Sequence, residues 1–581
     1  MPVIAISSDD LIQIEQHFKV SAGPGAGKTH WLVNHIAHIL RESKRLGSYR
    51  KIACITYTNI AVETISKRLN STADRVEVST IHGFIYHNIL KPYLSFIAHE
   101  YGFDIRKMDG HDDHFVSRAK LKEWIDAHPN LSKLKHPFTR NQLLRLPANL
   151  DSLKSWMQSI HYTFNGSDVE IAVDNKRAFL AGASSGINKA TMDKLSVDLI
   201  GYKKLYWVKG RLHHDDVLFF GYKLLIKYPF ILKVLRARFP YFVIDEFQDT
   251  SPIQTAIIKL LAAEETIVGV IGDKAQSIFS FQGASPADFS SFTLPNQNNY
   301  EINDNRRSTN RIVDVLNTVR TDIRQKPSRA VPGDKPSILV GTRKNAFAHV
   351  KSQCGNEPII TLSRDNVMAR SMMKEYNSAI PARNLLSDLF DKDNSKRANT
   401  VVRCMKAVDL GLQNRFKEAI RELERVVVEP NRELRRKKAF QHLSILLSQY
   451  QLFKSAPLYD FYTLIKTHID PGLTKLANGN IKNFYENVSF DQVILFIDTN
   501  VENPESKTIH AAKGDEFNNV LVVFTKDKEI NCLITPDLTQ EEHRVKYVAF
   551  SRAKSRLFIS VENLDKATAH KLNPLFEIIN V

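Results

Sequence analysis

Residues 21–32 read SAGPGAGKTHWL, and the way this stretch is read decides the fold. Gly23, Gly25 and Gly27 permit a tight loop whose backbone N–H groups point at phosphate oxygens. KVSA (19–22) has the character of a feeding strand, and HWLVNHIAHIL (30–40) that of a helix whose N-terminus favours anions. In such a loop Lys28 reaches the β- and γ-phosphates and the Thr29 hydroxyl binds Mg²⁺. Ala22 stands where the strict G-x-x-x-x-G-K-T pattern has its first glycine. A phosphate loop also needs an acidic strand end, and YFVIDEFQDT (241–250) has one: apolar residues, then Asp245 and Glu246. Asp245 is expected to hold the metal and Glu246 to polarise an attacking water. A buried strand ending in two carboxylates is costly unless a cation balances them.

The totals bound the setting. A chain of 581 residues is too long for one core, and about three to four domains are expected. Lys and Arg number 80 against 63 Asp and Glu, a net charge of +17 that favours polyanion partners through counterion release. The four cysteines, Cys54, Cys354, Cys404 and Cys532, are far apart and suggest neither a zinc site nor a disulfide framework. The opening MPVIAISSDDLIQ lacks a basic leader, and no apolar run approaches the ~20 residues of a membrane span. A cytoplasmic protein with no membrane partner is expected.

Short β-branched runs recur, each followed by helical periodicity: KIACITYT (51–58), YFVIDE (241–246), TIVGVIGD (266–273), SILVGT (337–342), PIITLS (358–363), NVLVVFT (519–525) and RLFISV (556–561). They read as buried parallel strands of an α/β fold. They cluster before about 290 and after about 335, and the stretches between roughly 95 and 205 and between 376 and 495 look mostly helical. RFKEAIRELERVV (415–427) has a strong amphipathic period.

AGPGAGKT (22–29) and VIDEFQDT (243–250) resemble the ATP-binding motifs of superfamily 1A DNA helicases, the UvrD/Rep/PcrA type. Further stretches resemble that family's motifs in order: ITYTNIAVETISKRL (55–69), STIHGF (79–84), HDDVLFFGYKLL (214–225), VGVIGDKAQSIFSFQGA (268–284), INDNRRST (302–309), LSRDNVMAR (362–370), KTIHAAKGDEF (507–517) and EEHRVKYVAFSRAKSRL (541–557). The resemblance implies two RecA-like parallel-sheet domains, each with a mainly helical insertion, and ATP in the cleft between them. The expected boundaries are 1–94 with 206–290 for the first domain and 95–205 for its insertion. They are 291–375 with 496–581 for the second domain and 376–495 for a reduced insertion.

The resemblance also assigns roles. Lys28, Glu246, Gln276, Arg307 and Arg552 are the expected catalytic set, with Gln276 sensing the γ-phosphate and the two arginines stabilising transition-state charge. Ala22, Gly23, Pro24, Gly25, Ala26, Gly27, Lys28, Thr29, His30, Arg306 and Glu516 are expected around the nucleotide, and Thr29 and Asp245 around Mg²⁺. Tyr57, His82, Phe279, Phe281 and His510 occupy family positions that contact single-stranded DNA. Phe279 and Phe281 suit a stacking face or a core face, and His82 and His510 either contact DNA or serve as structural histidines.

Some positions depart from the family pattern. Arg306 replaces the aromatic that stacks on adenine, and His30 stands where an arginine is common. Gln282 replaces a motif III arginine. Gln13 and Gln16 are the candidates for an adenine-reading glutamine, and both lie close to the loop. GHDDH (110–114) reads better as a polar loop than as a metal site. RELRRKKAF (432–440) is either a grip on duplex phosphates or a solvated charged face.

The resemblance therefore implies an ATP- and Mg²⁺-dependent translocase moving 3′ to 5′ on single-stranded DNA, with tailed duplex as a further partner. The compact layout is similar to the helicase subunit of Gabija-type antiphage systems. That similarity implies an alternative: an NTP-hydrolysing DNA sensor beside a separate OLD-type nuclease.

Overall fold

The computed structural model describes residues 2–581 except 70–73, 109, 110, 112–115, 130, 131, 179–186, 281, 282, 284, 374–380, 382, 394 and 498–504. The chain divides into two units, Met1–Arg306 and Arg307–Val581.

In the first unit seven strands form one sheet: β1 (Val3–Ile6), β2 (Phe18–Ala22), β3 (Ile52–Thr56), β4 (Val76–Thr80), β5 (Tyr241–Ile244), β6 (Ile267–Gly272) and β7 (Asn298–Ile302). Their spatial order is β1-β7-β2-β6-β5-β3-β4, and every neighbouring pair is parallel. IACIT, YFVI and IVGVIG are buried along their whole length, as strands covered on both faces must be. β7 departs from expectation. Its sequence NNYEI is too polar to announce a strand, yet it pairs between β1 and β2, so the first unit continues past the expected limit of 290 to Arg306.

The segment inserted after β4 is mainly helical, with its own core that includes Leu121, Trp124, Leu153, Trp156, Tyr202 and Tyr206. It also holds an antiparallel hairpin, His161–Phe164 with Val169–Ala172, inside a stretch expected to be helical. The Asn165 side-chain oxygen accepts from the Ser167 and Asp168 amides and closes that turn, a role asparagine fills readily.

The second unit holds six parallel strands: β8 (Ser337–Val340), β9 (Ile359–Ser363), β10 (Ser506–Thr508), β11 (Phe517–Val523), β12 (Ala553–Val561) and β13 (Glu577–Asn580). Their order is β10-β9-β11-β12-β8-β13. The helices inserted between β9 and β10 bury a separate core, Leu389, Met405, Leu423, Leu443, Phe461 and Phe490 among it. Phe416–Glu424 is the amphipathic helix expected in this region, ending earlier than its apolar pattern suggested. The four cysteines are free and buried. Among the described residues no helix is long and apolar enough to cross a membrane.

His35 is an anomaly in the helix that follows the loop, Lys28–Glu42. It is buried, stacked on Trp31 (centroids 4.9 Å, 9° between planes), and neither ring nitrogen has a hydrogen-bond partner. Burial, with His38 nearby, pushes its pKa down to about 3. The folded state therefore keeps His35 neutral while an unfolded chain protonates it near 6.5. This contribution to stability is lost as pH falls through the window from 6.5 to about 3. His35→Leu is expected to raise stability by about 1–3 kcal/mol and to flatten the decline between pH 7 and pH 5. Urea unfolding at both pH values checks it.

Candidate functional site

In a parallel sheet every strand delivers its next residue to the same edge, and here that edge collects the candidates. The glycine loop follows β2, Tyr57 follows β3, and His82 lies two residues past β4. Asp245 and Glu246 follow β5, Asp273 and Gln276 follow β6, and Arg306 lies just beyond β7. In the loop Gly25 has φ +71° and Gly27 φ +80°, left-handed values that glycine adopts without a Cβ penalty. A Cβ on Gly27 would also lie 3.0 Å from the Ser8 Cβ. The Asn305 side chain donates to the Pro24 carbonyl at 3.2 Å and the Arg306 amide to the Gly25 carbonyl at 2.9 Å, tying the loop to the exit of β7. Ala22, Gly23, Pro24 and Ala26 are buried, and Thr29 is half-buried in the first helical turn.

Lys28 Nζ lies 3.7 Å from Glu246 Oε1. Burial, and then the neighbouring Glu246, pushes the Asp245 carboxyl up, while Lys28 pulls it down. Two carboxylates facing one ammonium leave this corner short of positive charge. Asp245 and the Thr29 hydroxyl are hard oxygen donors of the kind Mg²⁺ takes, so the residues present fit a divalent cation. Glu246 itself sits at φ +55°, a left-handed conformation unusual for a side-chain-bearing residue. The Gln276 side chain is buried and donates to Asp273 Oδ2 at 2.7 Å.

Arg306 and His30 are brought together by a residue that motif reading missed. Asp9 accepts from Arg306 Nη2 at 2.6 Å and pairs with His30 Nε2 at 3.0 Å. The hydrogen bonds from His30 and Arg306 hold the Asp9 carboxyl below its usual range. The Arg306 guanidinium also reaches Ser7 Oγ at 3.3 Å and Asp304 at 3.7 Å. Asp9, one of two acids in SSDDL near the N-terminus, carries no signal in the sequence that it will meet residue 306. Gln16 accepts from the Asn298 side chain, beside the start of β7.

Tyr57 stacks on Phe279 (5.0 Å, 26°), and burial pushes the Tyr57 phenol up. His82 stacks on His214 (3.7 Å, 25°), whose Nδ1 lies 3.2 Å from that of His111. Burial, then His214 and His111, pushes His82 down to about 3, so it is a neutral, packed ring. Phe281 and Gln282 lie outside the described residues, as do Asp112, Asp113 and His114 of the GHDDH stretch. Among the described residues no cluster of three or more His, Cys, Asp or Glu suits a metal ion.

The helix that starts at His214 is anchored by Asp216, which is fully buried. Asp216 accepts from Tyr162 Oη (2.6 Å), Trp207 Nε1 (2.8 Å) and the His213 amide (2.9 Å), and pairs with Lys203 Nζ at 2.8 Å. Burial alone would raise this carboxyl, but Lys203 and His213 hold it well below the carboxylate range.

In the second unit Arg307, Glu516 and Arg552 meet. Arg307 donates to Glu516 Oε1 at 2.8 Å and to the Ser551 carbonyl at 2.9 Å. Burial raises the Glu516 carboxyl, and Arg307, with Lys554 and Arg552, more than reverses it. Arg552 is buried, donating to the carbonyls of Val548 (3.1 Å) and Asp515 (3.2 Å) and to Ser551 Oγ (2.9 Å). Glu516 and Arg552 immediately precede β11 and β12, at the N-terminal ends of those strands. His510 follows β10 on the opposite edge, near Glu542.

Comparison with known proteins is consistent with this layout. The UvrD/REP helicase N-terminal domain family matches residues 8–297, and the UvrD-like helicase C-terminal domain family matches 360–563. The putative ATP-dependent DNA helicase YjcD of Bacillus subtilis is 22% identical over the whole chain and 82% of its own length. The Gabija protein GajB of Bacillus cereus is 26% identical over 52% of this chain and 46% of its own. The ATP-dependent DNA helicase PcrA of Bacillus subtilis is 28% identical over 53% of this chain and 38% of its own. The chain thus spans less than half the length of the last two.

Asp216→Asn leaves Lys203 buried without its counter-charge. It is expected to cost about 3–5 kcal/mol of stability, read from urea unfolding followed by tryptophan fluorescence.

Proposed function

The chain belongs to the UvrD/REP family of superfamily 1A DNA helicases, and we propose that it hydrolyses ATP to drive 3′-to-5′ movement along single-stranded DNA. The observation that carries this proposal is the gathering of the glycine loop, Lys28, the Asp245–Glu246 pair and Gln276 at the ends of neighbouring parallel strands β2, β5 and β6. The loop amides and Lys28 bind and orient the β- and γ-phosphates. Thr29 and Asp245 would hold Mg²⁺, whose charge offsets that of the triphosphate. Glu246 orients a water in line with the γ-phosphorus and takes its proton as the new P–O bond forms and the β–γ bridging bond breaks, giving ADP and phosphate.

Arg307 and Arg552 stabilise the transition-state charge, an effect of order 10³–10⁵ in rate where it has been measured. Glu516 binds the nucleotide sugar, and Arg306 with His30 lies beside the base. By motif position we assign Tyr57, Phe279, Phe281, His82 and His510 to the DNA track, with aromatic stacking worth roughly 1–3 kcal/mol per base. The helical segments 95–205 and 376–495 are insertions of the two RecA-like domains.

The match to GajB favours one alternative: an NTP-hydrolysing DNA sensor that regulates a separate nuclease in antiphage defence and unwinds little. Two measurements separate these readings. The translocase is expected to show ATPase activity stimulated at least about 10-fold by single-stranded DNA and to unwind 3′-tailed but not 5′-tailed duplex. Stimulated hydrolysis without unwinding selects the sensor. Glu246→Gln is expected to bind ATP normally and to lose at least about 100-fold in kcat, measured by phosphate release. Wild-type turnover would remove Glu246 from its role.

A further inference from the structure

Gln248 follows Glu246 by two residues and is almost fully buried, at 1% exposure. Its side chain bonds in two directions. Nε2 donates to Glu246 Oε2 at 2.5 Å and reaches Asp249 Oδ2 at 3.4 Å, while Oε1 accepts from the Asp273 amide at 2.9 Å. The Asp273 amide can only donate, so it dictates which end of the Gln248 amide is oxygen and turns the nitrogen toward Glu246.

The chain of bonds continues. Asp273 Oδ1 accepts from the Ala275 amide at 3.0 Å and Oδ2 from Gln276 Nε2 at 2.7 Å. The Ser277 hydroxyl donates to the Gln248 carbonyl at 3.1 Å. Gly272 completes the arrangement, because a Cβ there would lie 2.6 Å from Gln248 Oε1. A relay thus runs from the Glu246 carboxylate through Gln248 and Asp273 to Gln276. The two Glu246 oxygens have different neighbours, Lys28 on Oε1 and Gln248 on Oε2.

We propose that Gln248 is a positioning residue that holds the Glu246 carboxylate for water activation and links its orientation to Gln276. It acts through Glu246 and touches no substrate. The Gln248 amide offers a donor to Glu246 and an acceptor to the Asp273 amide at once. Leucine keeps the volume and loses both, and glutamate sets a second carboxylate against Glu246. The proposal rests on Glu246 being the group that activates water.

The test uses the full chain and compares wild type, Gln248→Leu, Glu246→Gln and the double variant. The readouts are single-turnover ATP hydrolysis with protein in excess and affinity for a fluorescent ATP analogue, with and without single-stranded DNA. Gln248→Leu is expected to lower the hydrolysis rate at least about 10-fold, to change analogue affinity less than about 3-fold, and to cut DNA stimulation toward unity. In the Glu246→Gln background the same change is expected to cost less than about 2-fold, since residues acting as one unit are not additive.

An equal loss in both backgrounds would overturn the proposal, as would a wild-type rate in Gln248→Leu. If the leucine variant does not fold, Gln248→Met, which also lacks the amide donor and acceptor, serves in its place, with the same loss expected and a wild-type rate overturning. Should Glu246→Gln itself turn over normally, the assignment of Glu246 fails. A dead Glu246→Gln beside an unimpaired Gln248→Leu overturns the positioning role alone.

Discussion

Two adjacent carboxylates at the end of a buried strand face one lysine, and the first unit is organised around that imbalance. Asp245 and Glu246 leave β5 into a region where burial penalises charge, and Lys28 approaches Glu246 at 3.7 Å. The glycine loop beside it presents amide donors and the start of a helix, which favour an anion. The parallel sheet brings the carboxylate pair and the glycine loop to the same edge, with β2 and β5 on either side of β6.

The second unit solves a different problem. Its charged set is built on two guanidinium groups, Arg307 and Arg552. Glu516 is the carboxylate that keeps Arg307 in place, and backbone carbonyls satisfy the buried Arg552. These groups precede β11 and β12, whereas His510 follows β10, so opposite edges of one sheet carry residues expected to meet different ligands.

Much of this was legible along the chain. The glycine loop, the apolar run ending in Asp245 and Glu246, and the ordered stretches up to residue 557 each carry a local pattern, because loop, strand and helix start are decided by a few neighbouring residues. Two strands at one side of the first sheet, β1 and β7, were not legible. NNYEI pairs as β7 although it is mostly polar, and Val3–Ile6 is an exposed edge. Each gains its stability from pairing more than from an apolar pattern of its own, β7 with β1 and β2 and β1 with β7, and each pairing joins segments far apart in sequence.

The amino-acid sequence by itself determined the family and the α/β class, and it singled out the glycine loop and the acidic strand end as candidates, since local backbone and side-chain chemistry mark those without reference to distant segments. The tertiary structure alone decided which groups position them. Asp9 meets Arg306, Asp216 meets Tyr162 and Lys203, His82 meets His214, and Gln248 meets Asp273. Each pair joins separate segments of the chain, and no one-dimensional pattern encodes a contact whose two ends are brought together only by tertiary packing.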